Sequence, residues 1–191
     1  MRAEKHPGRW LFRLIESAGV ALVLAVLLLA FATPTARVIG PSMQNTLQDG
    51  DFLITLRPWI AGEIGQGDIV VVYEESFFKE PIIKRVIARG GQTVEIDFET
   101  GLVTVDGMIL QEPYIRELTT QDEGTVFPYT VPEGELFLMG DNRGNSDDSR
   151  NSRLGAVGED KLIGKAVLLL FPGANAEDNQ RDFHRIGLLN K

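Results

Sequence analysis

The stretch GPSMQNTLQDGD, residues 40–51, contains a serine that could act as a nucleophile, Ser42. A serine hydroxyl attacks a carbonyl carbon efficiently only when a neighbouring base removes its proton. The preceding Gly40 and Pro41 could form a turn that exposes the hydroxyl, and Gly40 would let a substrate carbonyl approach closely. Backbone N–H groups near Ser42 could then stabilise an oxyanion. From this stretch alone, an ordinary turn serine beside a proline is the simpler interpretation.

The base for such a serine would have to be something other than histidine or cysteine. The chain contains no cysteine, which excludes a thiolate nucleophile, a disulfide framework and a Cys-ligated metal. Its two histidines, His6 and His184, lie near opposite ends of the 191-residue chain and outside the densest motifs. The sequence therefore does not indicate a serine–histidine arrangement.

A lysine in an apolar run, Lys84, is the candidate base. It lies within PIIKRVIARGGQTVEI, and in a β-strand it would share a face with Ile82 and Val86. If that face is buried, loss of hydration lowers the pKa of the lysine by up to about 3–5 units, and a neutral amine can act as a general base. Arg85 and Arg89 would lower this pKa further if they lie close to it. The alternative is a lysine on an edge strand that points into water.

A third candidate stretch, MGDNRGNSDDSR at residues 139–150, is almost entirely polar and follows the apolar run ELFL. Asp148 and Arg150 are spaced to form a pair that braces the loop, and Ser146 could present its hydroxyl to a buried amine. A calcium loop is the alternative, with oxygen ligands from Asp141, Asn142, Asn145, Asp147 and Asp148. The spacing lacks the alternation of an EF-hand and no glutamate closes the loop, so we predict no metal site.

These candidate residues follow an N-terminal apolar segment, which we assign to residues 14–34. Counted from Trp10 to Ala32, the apolar run has about 23 residues, against the roughly 20 needed to span a bilayer. Four basic residues precede residue 14, where the assigned segment begins, and only Arg37 follows the segment closely. The positive-inside rule then assigns residues 1–13 to the cytoplasm and residues 35–191 to the outside. We therefore predict a single-pass anchor in the cell membrane.

A cleaved signal peptide is the alternative interpretation of this segment. Ala30, Phe31 and Ala32 fit a small-x-small cleavage site. Cleavage at that point would leave Ser42 close to a free and frayed chain end, whereas retention would hold it beside the membrane. We therefore favour the retained anchor.

Beyond residue 35 the sequence predicts a mainly β fold. Short runs rich in Val, Ile and Phe alternate with turns rich in Gly, Pro and Asp. The predicted strands are residues 52–56, 69–73, 82–87, 93–96, 102–105, 135–139 and 165–171. The Asp106-Gly107 pair is typical of a two-residue hairpin turn. We expect one transmembrane helix followed by an all-β ectodomain.

Turn density and composition suggest how the ectodomain is divided. Residues 35–96 and 139–172 contain the candidate chemistry and form the predicted catalytic β-domain, whereas residues 97–138 are expected to form a small inserted cap. The tail, residues 173–191, is polar and is expected to pack loosely. Residues 38–191 carry 14 Lys/Arg against 25 Asp/Glu without a basic patch, which argues against nucleic acid as a partner.

Taken together and in this order, the three stretches resemble the bacterial type I signal peptidases, the membrane-anchored leader peptidases. The likeness covers roughly residues 10–171. It is carried by Ser42-Met43 with Thr46-Leu47; Gly67-Asp68-Ile69-Val70; Lys84-Arg85-Val86 with Gly91, Thr93 and Val94; Gly140-Asp141-Asn142-Arg143 with Asn145-Ser146 and Asp148-Ser149-Arg150; and Gly164-Lys165-Ala166. The resemblance implies a signal-peptidase-like β ectodomain behind the anchor.

The resemblance also implies a serine–lysine dyad. Ser42 matches the nucleophile of the family and Lys84 its general base. Ser146 matches the hydroxyl that orients the lysine amine, and Asp148 and Arg150 match a supporting pair. Lysine rather than histidine as the base is similar to the bacterial enzymes, not to those of the endoplasmic reticulum.

Three further positions bear on the implied site. Gly40 matches a position where some members have a serine that helps to stabilise the oxyanion. In this chain only backbone groups, chiefly the Ser42 N–H, would stabilise it. Met43 is the candidate for a substrate-binding pocket, since the family cleaves after small residues at −1 and −3. Asn45 stands where the family usually has proline, which replaces a stiff turn by a more flexible one.

The resemblance implies a membrane-bound serine endopeptidase that removes signal peptides from exported preproteins at the outer membrane face. We expect it to need no cofactor, to act as a monomer, and to have preproteins and the lipid bilayer as partners. A narrow substrate, such as a pilin or conjugation precursor, would be a variant of this activity. Two other classes stay open. One is a weakened relative that only binds signal peptides, supported by Asn45, and the other is a tethered structural β-domain with a calcium-bound loop.

Overall fold

A 25-residue helix, α1 (Gly8–Ala32), begins the part of the chain that the computed structural model describes, residues 8–175 and 179–189. Its stretch Trp10–Ala32 is long and apolar enough to cross a membrane. Large apolar side chains such as Leu22 are exposed on it rather than packed against the β domain that follows. An apolar helix that the rest of the protein does not cover is consistent with a single membrane anchor.

The helix differs at both ends from the predicted anchor, residues 14–34. It begins earlier, and it ends at Ala32, two residues before Pro34. The residue that precedes a proline is disfavoured in the helical conformation, which accounts for the earlier end. Of the predicted cytoplasmic segment, residues 1–13, residues 1–7 lie outside the described residues.

The end of α1 is bonded to the β domain through Arg57. The Arg57 Nε donates to the Phe31 carbonyl at 2.7 Å, its backbone N–H donates to the Ala32 carbonyl at 3.3 Å, and its guanidinium lies 5.0 Å from the Phe31 ring centre. Arg57 precedes a short helix, α2 (Pro58–Ala61), and the Trp59 ring of that helix lies 6.2 Å from the Phe31 ring. These contacts hold the β domain close to the end of α1.

Besides the two α-helices, the described residues form twelve strands and two single-turn 3₁₀ helices, at Glu159–Lys161 and Phe183–Arg185. The strands are β1 (Thr35–Arg37), β2 (Phe52–Leu56), β3 (Ile69–Val72), β4 (Ile82–Arg89), β5 (Thr93–Asp97), β6 (Leu102–Val105), β7 (Met108–Ile109), β8 (Tyr129–Thr130), β9 (Glu135–Met139), β10 (Val157–Gly158), β11 (Leu162–Phe171) and β12 (Gly187–Leu188). The prediction of a mainly β fold behind one apolar helix is confirmed.

Eight of these strands form the larger sheet. Seven follow the order β1-β2-β11-β3-β4-β9-β10, and β12 pairs with β11. Neighbouring strands in this sheet are antiparallel. Strand β4 therefore lies in the interior of the sheet, between β3 and β9.

The strand predictions succeed for the long strands and not for the short ones. All seven predicted strands are present, and β2, β6 and β9 have the predicted bounds. Strand β11 begins at Leu162, three residues before its predicted start. Strands β1, β7, β8, β10 and β12 are not predicted, because two or three residues are too few to show an alternating pattern.

The smaller sheet has the strand order β7-β6-β5-β8 and is built largely from the inserted segment. The structure differs here from the predicted domain boundary at residue 97, which falls at the end of β5. Strand β5 pairs with β6 and β8 and belongs to the smaller sheet. The reason is local, because the Gly101 N–H donates to the Asp97 carbonyl at 2.6 Å and closes β5 and β6 into a hairpin.

The core of the larger sheet includes the loop that carries the candidate nucleophile. Strand β3 is buried along its whole length. On one face of the sheet, Val70 and Val72 belong to a buried cluster that includes Leu138. On the other face, the buried cluster contains Met43 and Leu47 from the loop. Burial of these two side chains fixes the loop against the sheet.

The tail is packed more firmly than predicted. Strand β12 pairs with β11, and the Arg185 guanidinium is paired with the buried Asp51 carboxylate at 2.6 Å and 3.0 Å. The Gly173 N–H donates to the same carboxylate at 2.7 Å. A buried carboxylate needs such partners, and the polar composition of the tail supplies them. Residues 176–178 and 190–191 of the predicted tail lie outside the described residues.

Candidate active site

Lys84 is buried in the middle of β4. Its neighbour across the sheet on β3 is Val70, and only 3% of its surface is exposed. The alternative of a lysine on an edge strand is wrong, because β4 has a partner strand on each side. The Lys84 Nζ donates a hydrogen bond to the Ser146 Oγ at 3.0 Å. The apolar stretch with Lys84 and the polar stretch with Ser146, which lie far apart in the sequence, are therefore in direct contact.

Burial lowers the pKa of Lys84 to about 8. The carboxylates of Asp148 and Asp147 oppose this shift, and the charge of Arg150 reinforces it. Arg85 and Arg89, which we expected to lower this pKa if they lay close to it, each form an ion pair with a carboxylate of their own. An amine with this pKa is partly neutral near neutral pH, as a general base requires.

Ser146 and Asp148 connect the amine to the buried Arg150. The Ser146 hydroxyl donates to the Asp148 Oδ2 at 2.8 Å, and the Arg150 Nε and Nη2 each lie 2.9 Å from the Asp148 carboxylate. The Gly140 N–H donates to the same carboxylate at 3.0 Å. Asp148 and Arg150 are fully buried. The pair expected from the spacing of these two residues is therefore present.

The backbone of Ser42 is held against the same loop. The Asn142 N–H donates to the Ser42 carbonyl at 3.0 Å, and the Asn142 Nδ2 donates to the Pro41 carbonyl at 3.1 Å. A Cβ atom at Gly140 would collide with the Ser146 Oγ and would lie 2.5 Å from the Ser42 carbonyl oxygen. Only glycine fits between the two serines, so the loop that carries Ser42 and the Ser146 hydroxyl meet at Gly140.

A second buried ion pair holds the loop that carries Ser42 from its other side. The Arg85 Nε and Nη2 donate to the two oxygens of Asp141 at 2.8 Å and 2.7 Å, and the Thr46 hydroxyl also donates to Asp141. The Arg85 guanidinium lies 3.9 Å from the centre of the Tyr114 ring. The family motifs include both Arg85 and Asp141, but the sequence did not indicate that the two residues pair with each other. Their long-range pairing leaves no signal in local spacing.

Gly40 and Asp49 define the turn before the candidate nucleophile. Gly40 has a φ of +83°, which favours glycine, and its N–H donates to the Asp49 Oδ1 at 2.8 Å. Because this N–H already donates to Asp49, Gly40 has no free backbone N–H to donate to an oxyanion, as we had expected it to do. The Ser42 N–H remains the candidate donor.

Two neighbouring cavities lie near the candidate nucleophile, and the smaller one reaches Ser42 itself. The smaller, of about 50 Å³, is lined by Arg37, Val38, Ile39, Ser42, Met43, Pro81, Ile82 and Ile83. The larger, of about 410 Å³, shares Arg37, Ile39, Pro81 and Ile83 with it and extends to Thr35, Ala36, Thr55, Val71, Glu80 and Ile163. The smaller cavity has the size of a short side chain. Met43, the predicted substrate contact, lines it while most of its own surface is buried.

Two of the three acidic side chains of the polar loop are paired with arginines. Asp141 is paired with Arg85 and Asp148 with Arg150, which takes two of the five oxygen donors of the calcium alternative. Among residues 8–175 and 179–189 there is no group of three or more His, Asp or Glu side chains that could hold a metal ion. The calcium alternative therefore has no support from this loop.

Comparisons with known proteins agree with the geometry. The family model described as signal peptidase, peptidase S26, matches residues 11–171. Signal peptidase I T of Bacillus subtilis is 36% identical over 161 residues, which cover 80% of this chain and 81% of the relative. A probable signal peptidase I-1 of Synechocystis sp. is 37% identical over 184 residues, which cover 91% of this chain and 90% of the relative.

A solved signal peptidase I from Enterococcus faecalis is 30% identical and covers 55% of this chain and 97% of its own, with a TM-score of 0.46. The assignment rests on the sequence matches, which extend over most of the chain and include both the Ser42 loop and the Lys84 strand. The chain belongs to the type I signal peptidase family, peptidase S26, whose members remove signal peptides from preproteins.

Proposed function

We propose that Ser42 is the nucleophile and Lys84 the general base of this signal peptidase activity. The observation that carries the proposal is the environment of the Lys84 amine. It is buried, its pKa is lowered to about 8 by burial, and it contacts Ser146 beside Gly140, against which Ser42 also packs. A neutral lysine can act as the base for the serine, a role for which the sequence indicates no histidine.

The hydrogen bonds at Ser146 support a defined orientation of the amine. A serine hydroxyl has one proton, and Ser146 donates it to Asp148, so its oxygen accepts from Lys84. One N–H of the neutral amine is thereby engaged, and its lone pair is directed to another partner. We assign Ser146, with Asp148 and Arg150 behind it, the role of holding that lone pair toward the Ser42 hydroxyl.

The reaction then proceeds in two steps. Lys84 removes the proton of the Ser42 hydroxyl while Oγ attacks the scissile carbonyl carbon, and the Ser42 N–H stabilises the resulting oxyanion. The Lys84 ammonium gives its proton to the departing amine, which is the new N-terminus of the mature protein. Water, deprotonated by Lys84, then hydrolyses the acyl-enzyme and releases the signal peptide.

The cavity beside Ser42 and its larger neighbour suit small side chains at the −1 and −3 positions of the substrate. We assign the smaller one to the residue before the cleaved bond and the larger one to the residue two positions earlier, with the substrate extended like a β-strand. With α1 as the anchor and the N-terminus in the cytoplasm, Ser42 would act at the outer membrane face, where the end of a signal peptide emerges. We expect the enzyme to act as a monomer.

The test is cleavage of a preprotein with alanine at −3 and −1 by the full-length protein in detergent. The Ser42→Ala and Lys84→Ala variants should each lose cleavage, whereas Lys161→Ala, which alters a lysine that is 37% exposed, should retain it. Thermal melting of each variant shows whether it is folded. A folded Lys84→Ala variant that cleaves like the wild type would exclude the dyad.

A further inference from the structure

A carboxylate from the inserted segment reaches the network around the dyad. Glu123 lies between β7 and β8, and its Oε1 is 3.3 Å from the Arg150 Nη2. Arg150 is paired with Asp148. Asp148 accepts a hydrogen bond from the Ser146 hydroxyl, and the oxygen of that hydroxyl accepts one from the Lys84 amine. An unbroken series of contacts therefore leads from the Lys84 amine to a side chain of the inserted segment.

Backbone contacts fix Glu123 in this place. The Ser152 N–H donates to the Glu123 carbonyl at 3.2 Å, and the Thr125 N–H donates to the Arg150 carbonyl at 3.1 Å. The Thr125 hydroxyl donates to the Ser149 carbonyl at 3.1 Å. Residues on both sides of Glu123 are thus bonded to the loop that carries Arg150. The ion pair is a consequence of how the inserted segment docks on the catalytic sheet.

The charge of Arg150 is not fully compensated without Glu123. The guanidinium is buried, and its Nη1 has no hydrogen-bond partner among the described residues. The Asp148 carboxylate is shared with Gly140 and Ser146. A cation close to a lysine disfavours the protonated amine, and a second carboxylate offsets that effect.

We propose that Glu123 is a positioning residue of the dyad. By sharing Arg150 with Asp148, it keeps the Asp148 carboxylate in the orientation that fixes the Ser146 hydroxyl, and it balances the charge of Arg150 beside Lys84. The inserted segment thereby contributes to catalysis. This proposal rests on the proposed function, since Lys84 must be the base.

The direction of the effect on pH dependence follows from the charges that face these groups. Lys84 is faced by Asp148, Asp147, Arg150 and Glu123. Burial raises the pKa of Glu123 to about 6, and Arg150 opposes that shift. Glu123 is therefore ionised at the pH where Lys84 loses its proton. Removing its negative charge destabilises the ammonium, so the pKa of Lys84 falls.

The test is the pH dependence of kcat/KM from pH 6 to 10 for full-length Glu123→Gln in detergent. The rising limb should move to lower pH by roughly 0.5 unit, and kcat on the plateau should fall several-fold. The matched control is Asp122→Asn, which removes the same charge from an exposed carboxylate that accepts the Gly124 N–H. Its rising limb should coincide with that of the wild type.

A rising limb for Glu123→Gln that coincides with the wild-type limb would overturn the proposal, whether or not the plateau rate falls. If Glu123→Gln melts too low to assay, Glu123→Asp replaces it, because it keeps the charge and withdraws it by one methylene. An intermediate shift then supports the proposal, and an unshifted limb overturns it. Failure of the proposed function is separate, since it appears as cleavage by Lys84→Ala.

Discussion

The Lys84 amine and the Ser146 hydroxyl lie 3.0 Å apart, although 62 positions separate them in the chain. Strand β4 fixes the first residue and the polar loop after β9 fixes the second. Because β4 and β9 are neighbours in the sheet, the contact follows from strand pairing. The chemistry assigned to the dyad depends on this geometry more than on either side chain alone.

Replacing Ser146 by alanine should lower kcat by about 10²-fold, within the range that a positioned base contributes. The amine loses the acceptor that directs its lone pair, while its burial is unchanged. Initial rates on a preprotein, with melting to verify folding, measure the effect. Ser152→Ala, which alters an exposed serine in the same region, should leave kcat unchanged. Wild-type kcat in Ser146→Ala would contradict the orienting role.

Replacing Lys84 by methionine should stabilise the protein at pH 7. The pKa of Lys84 is about 8 in the folded protein against 10.5 as the ordinary value, so the unfolded chain binds this proton more tightly. The buried ammonium lowers the free energy of unfolding by its full amount below pH 8, and this loss of stability disappears above pH 10.5. The gain at pH 7 should be about 2 kcal/mol, because the lost hydrogen bond to Ser146 offsets part of it.

Urea unfolding of wild type and Lys84→Met in the same detergent, at pH 7 and at pH 10.5, measures this gain. The difference in unfolding free energy between the two proteins should shrink as the pH rises. A methionine variant that is less stable than the wild type at pH 7 would contradict a lysine whose burial opposes its charge.

Local sequence patterns predicted much of this site. They did not predict the contacts from distant segments that hold the site in place. Alternation along β4 predicted that Lys84 shares a face with Ile82 and Val86, and the i, i+2 spacing predicted the pair of Asp148 and Arg150. These are short-range relationships that sequence order specifies.

The supports of the site depend on contacts between distant segments. Nothing near Glu123 or Arg185 in the sequence indicates that each pairs with a buried partner, since docking of the inserted segment and of the tail creates those contacts. The same applies to Gly140, whose need for glycine arises only once Ser42 and Ser146 lie on either side of it.

Shortening Ile83, which lines both cavities, should relax selectivity at the −1 position. Ile83→Ala should raise the relative cleavage of a substrate with valine at −1 by about tenfold over one with alanine, since each methylene in such a pocket contributes about 1–3 kcal/mol. Ile87→Ala removes the same atoms from a buried position on the same strand and should leave selectivity unchanged. Equal selectivity in the two variants would contradict the assignment of the smaller cavity.

The tail should stabilise the nucleophile loop through Arg185. Its Nη2 donates to the Thr46 carbonyl at 3.3 Å as well as to the buried Asp51. Arg185→Met leaves that carboxylate without its cation, so the free energy of unfolding should fall by about 3 kcal/mol in urea titrations. Arg153→Met, which removes an exposed arginine, should cost much less. Equal losses for the two variants would contradict a tail that braces the loop.

The most direct test of the account is the pH dependence of kcat/KM for preprotein cleavage by the wild type, with Lys84→Ala alongside. The account predicts a rising limb with an apparent pKa near 8, the value to which burial lowers Lys84, and no cleavage by the variant at any pH. A limb near pH 6, or cleavage by folded Lys84→Ala, would show that another group removes the Ser42 proton and would contradict the serine–lysine dyad.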